Sequence, residues 1–296
     1  MGIVHLLLNP AVDGRRRAAA DDEIRHCLRA HGHEVVELRP PATDLVATTI
    51  AEARHEDVTR LVIAGGDGLL HHALPAIAGS DVAVGIVPVG TGNDFARALG
   101  LPSRIEAAVE AALAEPTAID AIATTDGRWA ASVVTGGFSG RVNARANDLR
   151  FPKGQQRYTI ATFVELARLR SIDLELTVDG TTHDLSATLF AVGNTRYFGG
   201  GMAICPLAVP SDGVLDVTVV GPTTRRELAM VLPTVFTGRH IDHPAVTTLR
   251  GRHIEIRAAT DLWADGECFV PVTATTTTSL RAVTGALQVA GTLVGT

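Results

Sequence analysis

The first 122 residues alternate apolar, β-branched runs with segments whose apolar residues fall at helical spacing. Continuous apolar runs are typical of buried parallel strands, and the segments between them predict helices. This order predicts an α/β domain over residues 1–122, with a parallel sheet and helices on its faces. The predicted strands are Ile3–Leu8, Glu34–Leu38, Leu61–Ala64 and Val82–Val87, and the predicted helices are Ala18–Ala30, Asp44–Arg54 (capped by Thr43 or Asp44), Leu69–Ile77, Asn93–Leu99 and Ile105–Ala114.

After residue 122 apolar and polar positions alternate, and turn signals such as Asp126-Gly127 and Asp179-Gly180 separate the stretches. This pattern predicts a mainly antiparallel β-sandwich over residues 123–283, with helices near 157–169 and 223–236. The apolar tail Leu287–Leu293 predicts one more strand, so residues 284–296 are expected to return to the first domain. The predicted strands of the second domain are Trp129–Val134, Leu174–Val178, Ser186–Val192, Leu215–Val220, His253–Arg257 and Phe269–Thr278.

Two glycine-rich turns follow two of the strands predicted in the first domain. Gly65-Gly-Asp-Gly68 follows one strand, and Gly90-Thr-Gly-Asn-Asp-Phe95 follows the next. Glycine lets backbone N–H groups approach an anion closely, and ligands bind at the carboxyl ends of neighbouring strands in such sheets. The carboxylates of Asp67 and Asp94 beside this backbone suggest a hydrated Mg²⁺. The pair of turns therefore predicts a site for nucleotide phosphates.

Each polar residue of these turns also has a simpler interpretation. Asp67 is either a carboxylate that holds Mg²⁺ through water or a turn-forming aspartate. Thr91, Asn93 and Asp94 either hydrogen-bond phosphate and adenine or form a glycine loop with an Asn or Asp helix cap. The two turns together, at the ends of two strands of one sheet, favour the nucleotide interpretation.

The second domain carries two further acidic segments. Ser211-Asp-Gly-Val-Leu-Asp216 is either a hairpin turn or an oxygen-rich cation site. Ala264-Asp-Gly-Glu267 places two carboxylates around a glycine turn, and a carboxylate can serve as general base for a hydroxyl nucleophile. For each Asp-Gly pair, a tight turn is the competing interpretation.

Composition narrows the classes of function. The net charge of −6 and pI of about 6.0 argue against a nucleic-acid partner. The three cysteines show no CxxC spacing, which is typical of free thiols in a reducing cytoplasm, and no segment is apolar enough to span a bilayer. The single lysine, Lys153, lies in Phe-Pro-Lys-Gly-Gln, so the chain has neither a P-loop nor a protein-kinase lysine.

Several motifs follow one another along nearly the whole chain: Asn9-Pro10, Gly65-Gly-Asp-Gly68, Gly90-Thr-Gly-Asn-Asp-Phe95, Asp120, Gly199-Gly-Gly201, Cys205-Pro-Leu-Ala208, Asp212-Gly-Val-Leu-Asp216 and Asp265-Gly-Glu267. In this order they make the chain resemble the diacylglycerol kinase catalytic domain family, the bacterial lipid kinases related to sphingosine and ceramide kinases. The Gly-Gly-Asp-Gly loop alone is less specific, since NAD kinases and phosphofructokinases carry similar loops. The resemblance implies an NAD kinase/phosphofructokinase-like fold for the first domain.

The resemblance implies phosphorylation of a lipid hydroxyl, such as that of diacylglycerol, with ATP and Mg²⁺. It implies that Glu267 is the base, that Asp67 and Asp120 belong to a water-linked Mg²⁺ network, and that Asp212 with the carbonyls of Val209 and Val214 holds a structural Mg²⁺. Together with the turn residues discussed above, the expected nucleotide contacts are Asn9, Gly65, Gly66, Asp67, Gly68, Leu69, Thr91, Asn93 and Asp94.

Three departures from the family pattern keep further functions open. Leu69 stands where many members have threonine, His72 where glutamate is common, and Val12-Asp13-Gly14 where Ser-Gly is usual. They motivate a non-catalytic paralogue that binds nucleotide or lipid. A sphingoid-base or ceramide kinase also stays open, as does an NAD or sugar kinase, which explains fewer of the motifs.

A lipid acceptor requires contact with a membrane surface, so the protein, expected in the cytoplasm from its free thiols, is also expected to associate peripherally with a membrane. One interpretation of the basic stretch at residues 141–157 is contact with anionic lipid, and the other is a solvated helix and loop. Arg15-Arg-Arg17 is a second basic run, a candidate to face phosphate. The oligomeric state stays open, with a homodimer among the options. The basic stretch contains Arg141, Arg145, Arg150, Lys153 and Arg157.

Overall fold

The computed structural model describes residues 2–10, 15–53, 58–148, 161, 164–165, 170–271 and 277–291. The chain divides into two compact units. The first comprises Met1–Ala121 and Val283–Thr296, and the second comprises Ile122–Ala282. No helix within the described ranges is both long and apolar enough to cross a membrane.

The first unit is built on a parallel sheet. Strands β1 (Ile3–Leu8), β2 (Glu34–Leu38), β3 (Arg60–Gly65) and β4 (Ala83–Pro88) lie in the order β2-β1-β3-β4. All six residues of β4 and the last five of β1 and of β3 are buried, as their apolar sequences predict. The helices are α1 (Arg15–Ala30), α2 (Val46–Ala53), α3 (Asp67–Ile77), α4 (Asp94–Ala98) and α5 (Ile105–Leu113), and β5 (Pro116–Thr124) follows them.

The second unit is an antiparallel sandwich. Its strands are β6 (Trp129–Ala130), β7 (Val133–Gly137), β8 (Ile172–Val178), β9 (Thr181–Ala187), β10 (Leu189–Gly193), β11 (Leu215–Val220), β12 (Val246–Gly251), β13 (His253–Ala258), β14 (Leu262–Ala264), β15 (Glu267–Val270) and the start of β16 (Thr278–Ala290). One sheet has the order β12-β11-β10-β7-β14-β15, and the other contains β16-β13-β8-β9. Their inner faces share one core that includes Leu176, Phe190 and Ile254.

The last strand connects the two units along the chain. In β16, Arg281 pairs with His253 in the second unit, whereas Gln288 pairs in parallel with Ala83 of β4 in the first. The described helices of the second unit are α6 (Phe138–Asp148) and α7 (Arg225–Val231), with 3-10 helices at Leu232–Thr237 and Arg239–Asp242.

The predicted fold class is confirmed: a mostly parallel α/β unit precedes an antiparallel sandwich. The predicted strand over Ser186–Val192 is wrong as a single strand, because the chain changes sheets at Thr188, whose N–H donates to the carbonyl of Val220 and whose carbonyl accepts from Phe138. The predicted strand Trp129–Val134 is likewise split, since the carbonyl of Ser132 accepts N–H groups from residues 194 and 195 instead.

Two helix predictions are also corrected by the structure. Asp44–Arg54 begins as a 3-10 turn at Thr43–Leu45 whose N-cap is Ala42, so neither Thr43 nor Asp44 is the cap. The helix expected over 223–236 changes to 3-10 geometry from Leu232, because Pro233 has no N–H to continue the α-helical pattern. Most of the helix expected near 157–169 and the middle of the predicted strand Phe269–Thr278 lie outside the described residues.

Candidate active site

The two glycine turns of the first unit meet backbone to backbone. A Cβ atom added to Gly90 would lie 2.5 Å from the Cα and 2.9 Å from the nitrogen of Gly66. Real Cβ atoms do not approach backbone this closely, so no larger residue fits at position 90 without moving the turns apart. The glycines therefore serve to bring the ends of β3 and β4 into contact.

Asp67 fastens one turn to the other. It is the first residue of α3, and its Oδ2 and Oδ1 atoms accept the backbone N–H groups of Asp94 and Phe95, each at 3.0 Å. These N–H groups open α4 and have no partner within that helix. The carboxylate thus caps α4 from a residue 27 positions earlier in the chain. A carboxylate oxygen can accept more than one hydrogen bond, so the same group fits a water of a hydrated Mg²⁺ as well.

Asn93 braces its own turn. It has a left-handed backbone (φ 55°), and its Oδ1 accepts the N–H of Gly90 at 3.1 Å. Its Nδ2 donates to the carbonyls of Gly90 and Pro88 at 3.0 and 3.3 Å. The helix begins one residue later, at Asp94, without a cap from the Asn93 side chain. Its amide is therefore engaged with the turn, and its contact with a nucleotide stays a prediction.

The surface of the turns is available mainly as backbone. Gly90 and Thr91 are exposed, and Gly68 has nothing within 4 Å of the place where a Cβ would lie. Leu69 is buried, and its side chain packs on Gly65, so any contact of Leu69 with a nucleotide would come from its backbone. The cleft beneath the turns has a volume of about 10 Å³, enough for one water molecule, so a nucleotide would lie over the turns.

Arg17 supports the end of β3. Its guanidinium donates to the carbonyl of Ala64 at 2.6 Å and forms an ion pair with Asp21 at 2.8 Å. Ala64 directly precedes the first glycine turn, so this arginine stabilises the strand end from which the turn begins. Sequence reasoning missed this role, and the i,i+4 spacing of the ion pair on α1 is the signal that could have indicated it.

Two other predicted site residues of the first unit are Asn9, at the end of a strand, and Asp120, within one. Asn9 follows β1 and is half-buried. Asp120 is buried in β5, where its Oδ1 accepts the N–H of Gly285 at 2.8 Å. This bond ties β5 to the returning strand β16, and the place of Asp120 in a Mg²⁺ network stays a prediction.

In the second unit, Glu267 is the first residue after the turn of a tight hairpin, where β15 begins. Asp265 and Gly266 both have positive φ values, 54° and 90°, as in a type I′ turn. Ala264 pairs with Glu267 across this turn, and the Glu267 side chain is exposed. The turn interpretation of Asp-Gly is correct here, and it is compatible with a base role because the turn presents the carboxylate to solvent.

Two of the predicted metal ligands in the second unit, the Asp212 carboxylate and the Val209 carbonyl, accept hydrogen bonds from protein donors. Oδ1 of Asp212 accepts the N–H of Val214 at 3.0 Å, and Oδ2 forms an ion pair with Arg250 at 2.6 Å. The carbonyl of Val209 accepts the N–H of Ser211 at 2.8 Å. A cation here would compete with Arg250 for the carboxylate, so these contacts as they stand do not fit a bound metal ion. The assignment of Asp212, Val209 and Val214 to Mg²⁺ stays a prediction.

Arg250 also reaches Asp216, 3.2 Å from its Oδ1. Burial raises the pKa of the Asp216 carboxyl, and the neighbouring guanidinium opposes that shift. Among the described residues, no group of three or more His, Cys, Asp or Glu side chains is arranged to hold a metal ion.

The structure describes two arginines of the basic stretch, and lipid contact by this stretch stays a prediction. Arg141 and Arg145 both bind the buried carboxylate of Glu165, at 3.4 and 2.5 Å. Burial lowers the pKa of the Arg141 guanidinium, with Arg170 acting in the same direction and Glu165 opposing it. Their charges are therefore paired with a buried carboxylate, and both side chains are only partly exposed. Arg150, Lys153 and Arg157 lie outside the described residues.

Comparison with known proteins matches both units. Residues 4–124 match the family described as "Diacylglycerol kinase catalytic domain". Residues 132–291 match that described as "YegS C-terminal NAD kinase beta sandwich-like domain". A crystal structure of a diacylglycerol kinase from Bacillus anthracis strain Sterne shares the fold, with a TM-score of 0.76 at 20% identity, covering 97% of this chain and 96% of that one. The chain therefore belongs to the class of proteins that join a diacylglycerol kinase catalytic domain to a C-terminal domain like the β-sandwich of NAD kinase.

Sequence relatives place the chain within that class. "Diacylglycerol kinase" of Mycobacterium tuberculosis strain H37Rv is 36% identical over 298 residues, covering 98% of this chain and 95% of that protein. "Diacylglycerol kinase" of Staphylococcus aureus strain Newman is 32% identical over 228 residues, covering 75% and 72%. The chain belongs to the diacylglycerol kinase family.

Proposed function

We propose that this protein is an ATP- and Mg²⁺-dependent lipid kinase that phosphorylates the hydroxyl of diacylglycerol to give phosphatidic acid. The observation that carries the proposal is the contact of the two glycine turns, held by Asp67. It is supported by the names of the relatives, which are diacylglycerol kinases.

The turns suit the phosphates of ATP. The N-terminus of α3 follows Gly66, which has no side chain to cap it, and helix N-termini attract phosphate. The exposed Thr91 adds a backbone N–H group and a hydroxyl beside it, while the N–H of Gly90 is engaged by Asn93. Bound Mg²⁺ would neutralise charge on the phosphates, and the Asp67 carboxylate would hold its water while capping α4.

Glu267 is proposed to take the proton of the lipid hydroxyl. The hydroxyl oxygen then forms its bond to the γ-phosphorus, the bond from that phosphorus to the bridging oxygen breaks, and ADP leaves. Positioning and charge stabilisation supply most of the acceleration in phosphoryl transfer, and a general base contributes about 10²–10⁴-fold. Glu267→Gln should lose roughly that factor in turnover.

The test measures transfer of labelled γ-phosphate to diacylglycerol, a sphingoid base, ceramide and phosphatidylglycerol in mixed micelles. Glu175→Gln, which changes another exposed glutamate of the second unit, is the matched control. We expect labelled phosphatidic acid from wild type and from the control, with a large loss in Glu267→Gln. Full activity of Glu267→Gln would refute the base assignment. Label on a sphingoid base or ceramide alone would replace diacylglycerol as acceptor, and ATP binding without any labelled lipid would favour the non-catalytic paralogue.

A further inference from the structure

Exposed apolar side chains are concentrated on one part of the second unit. Five large hydrophobic residues in the described ranges are exposed, and three of them belong to the loop 203–208 or to the helices over 225–242. These are Leu207 (55% exposed), Met230 (63%) and Phe236 (56%). Isolated exposed apolar residues are ordinary, but a concentration of them marks an interaction surface.

The loop and the helices form one packed body. The N–H of Ala203 donates to the carbonyl of Val235 at 3.0 Å, and Nε2 of His240 lies 3.0 Å from the carbonyl oxygen of Ile204. A Cβ on Gly238 would lie 2.8 Å from the Cβ of Pro206. Pro206 directly precedes Leu207, so the loop residue lies beside the segment that carries Phe236.

The inner side of this body faces a core. Leu228 and Val235 are each 6% exposed and share one hydrophobic cluster with Ile204. Met230 and Phe236 are close neighbours of these buried residues in the chain, yet more than half of each is exposed. The helical segment therefore carries apolar side chains on its outer side as well as on its inner side.

Arginines accompany the exposed apolar side chains. Arg225, Arg226 and Arg239 are exposed, and no ion pair within the described part of the chain involves them. The carboxylate of the neighbouring Glu227 is engaged in a capping box, accepting the N–H of Thr224 at 2.8 Å. A chain with a net charge of −6 thus presents available positive charge beside exposed apolar groups.

We propose that the docking surface formed by Leu207, Met230, Phe236, Arg225, Arg226 and Arg239 binds the face of an anionic bilayer. Apolar side chains beside arginines are the composition of interfacial helices, whose apolar groups enter the boundary between headgroups and acyl chains while the cations face lipid phosphates. This inference rests on the proposed function, since an acceptor lipid must be reached in its membrane.

The test is sedimentation of the full chain, without ATP, with vesicles of phosphatidylglycerol and phosphatidylcholine in equal parts, or of phosphatidylcholine alone. Met230→Ser combined with Phe236→Ser should weaken partitioning onto the anionic vesicles by about tenfold or more. The matched control combines Ile3→Ser with Leu45→Ser, the two other exposed large apolar residues, both in the first unit. It should partition like wild type.

A second variant pair tests the charges. Arg225→Gln with Arg226→Gln should weaken binding to the anionic vesicles by about tenfold and leave the weaker binding to phosphatidylcholine unchanged, because each basic residue near an anionic surface adds attraction. Thermal melting of every variant reports folding, and this arginine pair is exposed, so the melting temperature should stay near that of wild type.

Each outcome bears on the surface separately from the kinase activity. Equal partitioning of the apolar pair, its control and wild type would overturn the docking surface, as would failure of wild type to bind the anionic vesicles. Self-association that the apolar pair abolishes, without vesicle binding, would overturn it in favour of a second copy of the chain. Phosphorylation of a short-chain, water-soluble diacylglycerol should survive in the apolar pair. If vesicle binding depends on the docking surface but no lipid is phosphorylated, the membrane-binding proposal stands and the proposed kinase function is rejected.

Discussion

Replacing Asp67 by asparagine separates a structural role of this carboxylate from a metal-binding role. Both oxygens accept backbone N–H groups, those of Asp94 and Phe95, whose residues are 5% and 1% exposed. Asparagine keeps one acceptor oxygen and turns an NH₂ group towards the other N–H. A charge-assisted hydrogen bond contributes about 1.5–3 kcal/mol, and a carboxylate at a helix N-terminus about 0.3–1 kcal/mol.

We therefore expect Asp67→Asn to lower the free energy of unfolding of the first unit by about 2–4 kcal/mol, besides lowering activity. For a unit of this size the change corresponds to a fall in melting temperature of roughly 10 °C. Thermal melting by calorimetry or circular dichroism measures it. Asp81→Asn, at an exposed aspartate of the same unit, is the control and should melt like wild type. An unchanged melting temperature with lost activity would refute the structural role of the Asp67 hydrogen bonds and leave Asp67 as a purely catalytic group.

Two further predictions follow from the turns and from a buried histidine. Gly90→Ala should lower the free energy of unfolding by about 1–3 kcal/mol, because its Cβ would meet the backbone of Gly66 at 2.5 Å. Gly68→Ala is the control, since a Cβ there has nothing within 4 Å and should not lower stability. Equal melting temperatures of the two variants would contradict the close contact. His240 is 1% exposed, and burial lowers its pKa, opposed by its bond to Ile204 and by Asp242. As the pH falls, the histidine of the unfolded chain is therefore protonated before that of the folded protein. The stability due to neutral His240 is fully present above about pH 6.5. Below this pH it should fall by up to about 1.4 kcal/mol per pH unit, until the lower pKa of the folded state is reached. His240→Gln should consequently cost more stability at pH 7.5 than at pH 5, and a pH-independent cost would contradict this.

The fold could be predicted from the sequence because its signals are local. The apolar runs of β1 and β3, and the glycine turn that follows β3, specify each strand from residues adjacent in the chain. The sequence could not show where a run divides between sheets. Thr188 looks like a strand residue, but its N–H and carbonyl pair with Val220 and Phe138, and such distant partners are not visible in local periodicity.

The position of the glycine turns was predictable from the sequence, and the hydrogen-bond partners of their side chains were not. The glycine turns lie at the ends of β3 and β4 as expected, because strand ends and helix starts follow from the pattern. Asp67, Asn93 and Asp120 all bind backbone N–H or carbonyl groups. Every residue except proline carries the same backbone N–H and carbonyl groups, so the sequence does not distinguish a side chain that binds backbone from one that binds a ligand.

The same distinction bears on the departure at Leu69. If the side chain at this position faced the nucleotide, leucine in place of threonine would remove a hydroxyl from the site and favour a non-catalytic paralogue. The Leu69 side chain instead is 3% exposed and packs on Gly65, where a Cβ on that glycine would lie 2.6 Å from its Cδ2. The substitution therefore changes the packing beneath the turn and leaves the backbone of the turn in place. Since the turns present mainly backbone to a phosphate, this departure is compatible with catalysis, and the kinase interpretation is favoured over the paralogue at this position.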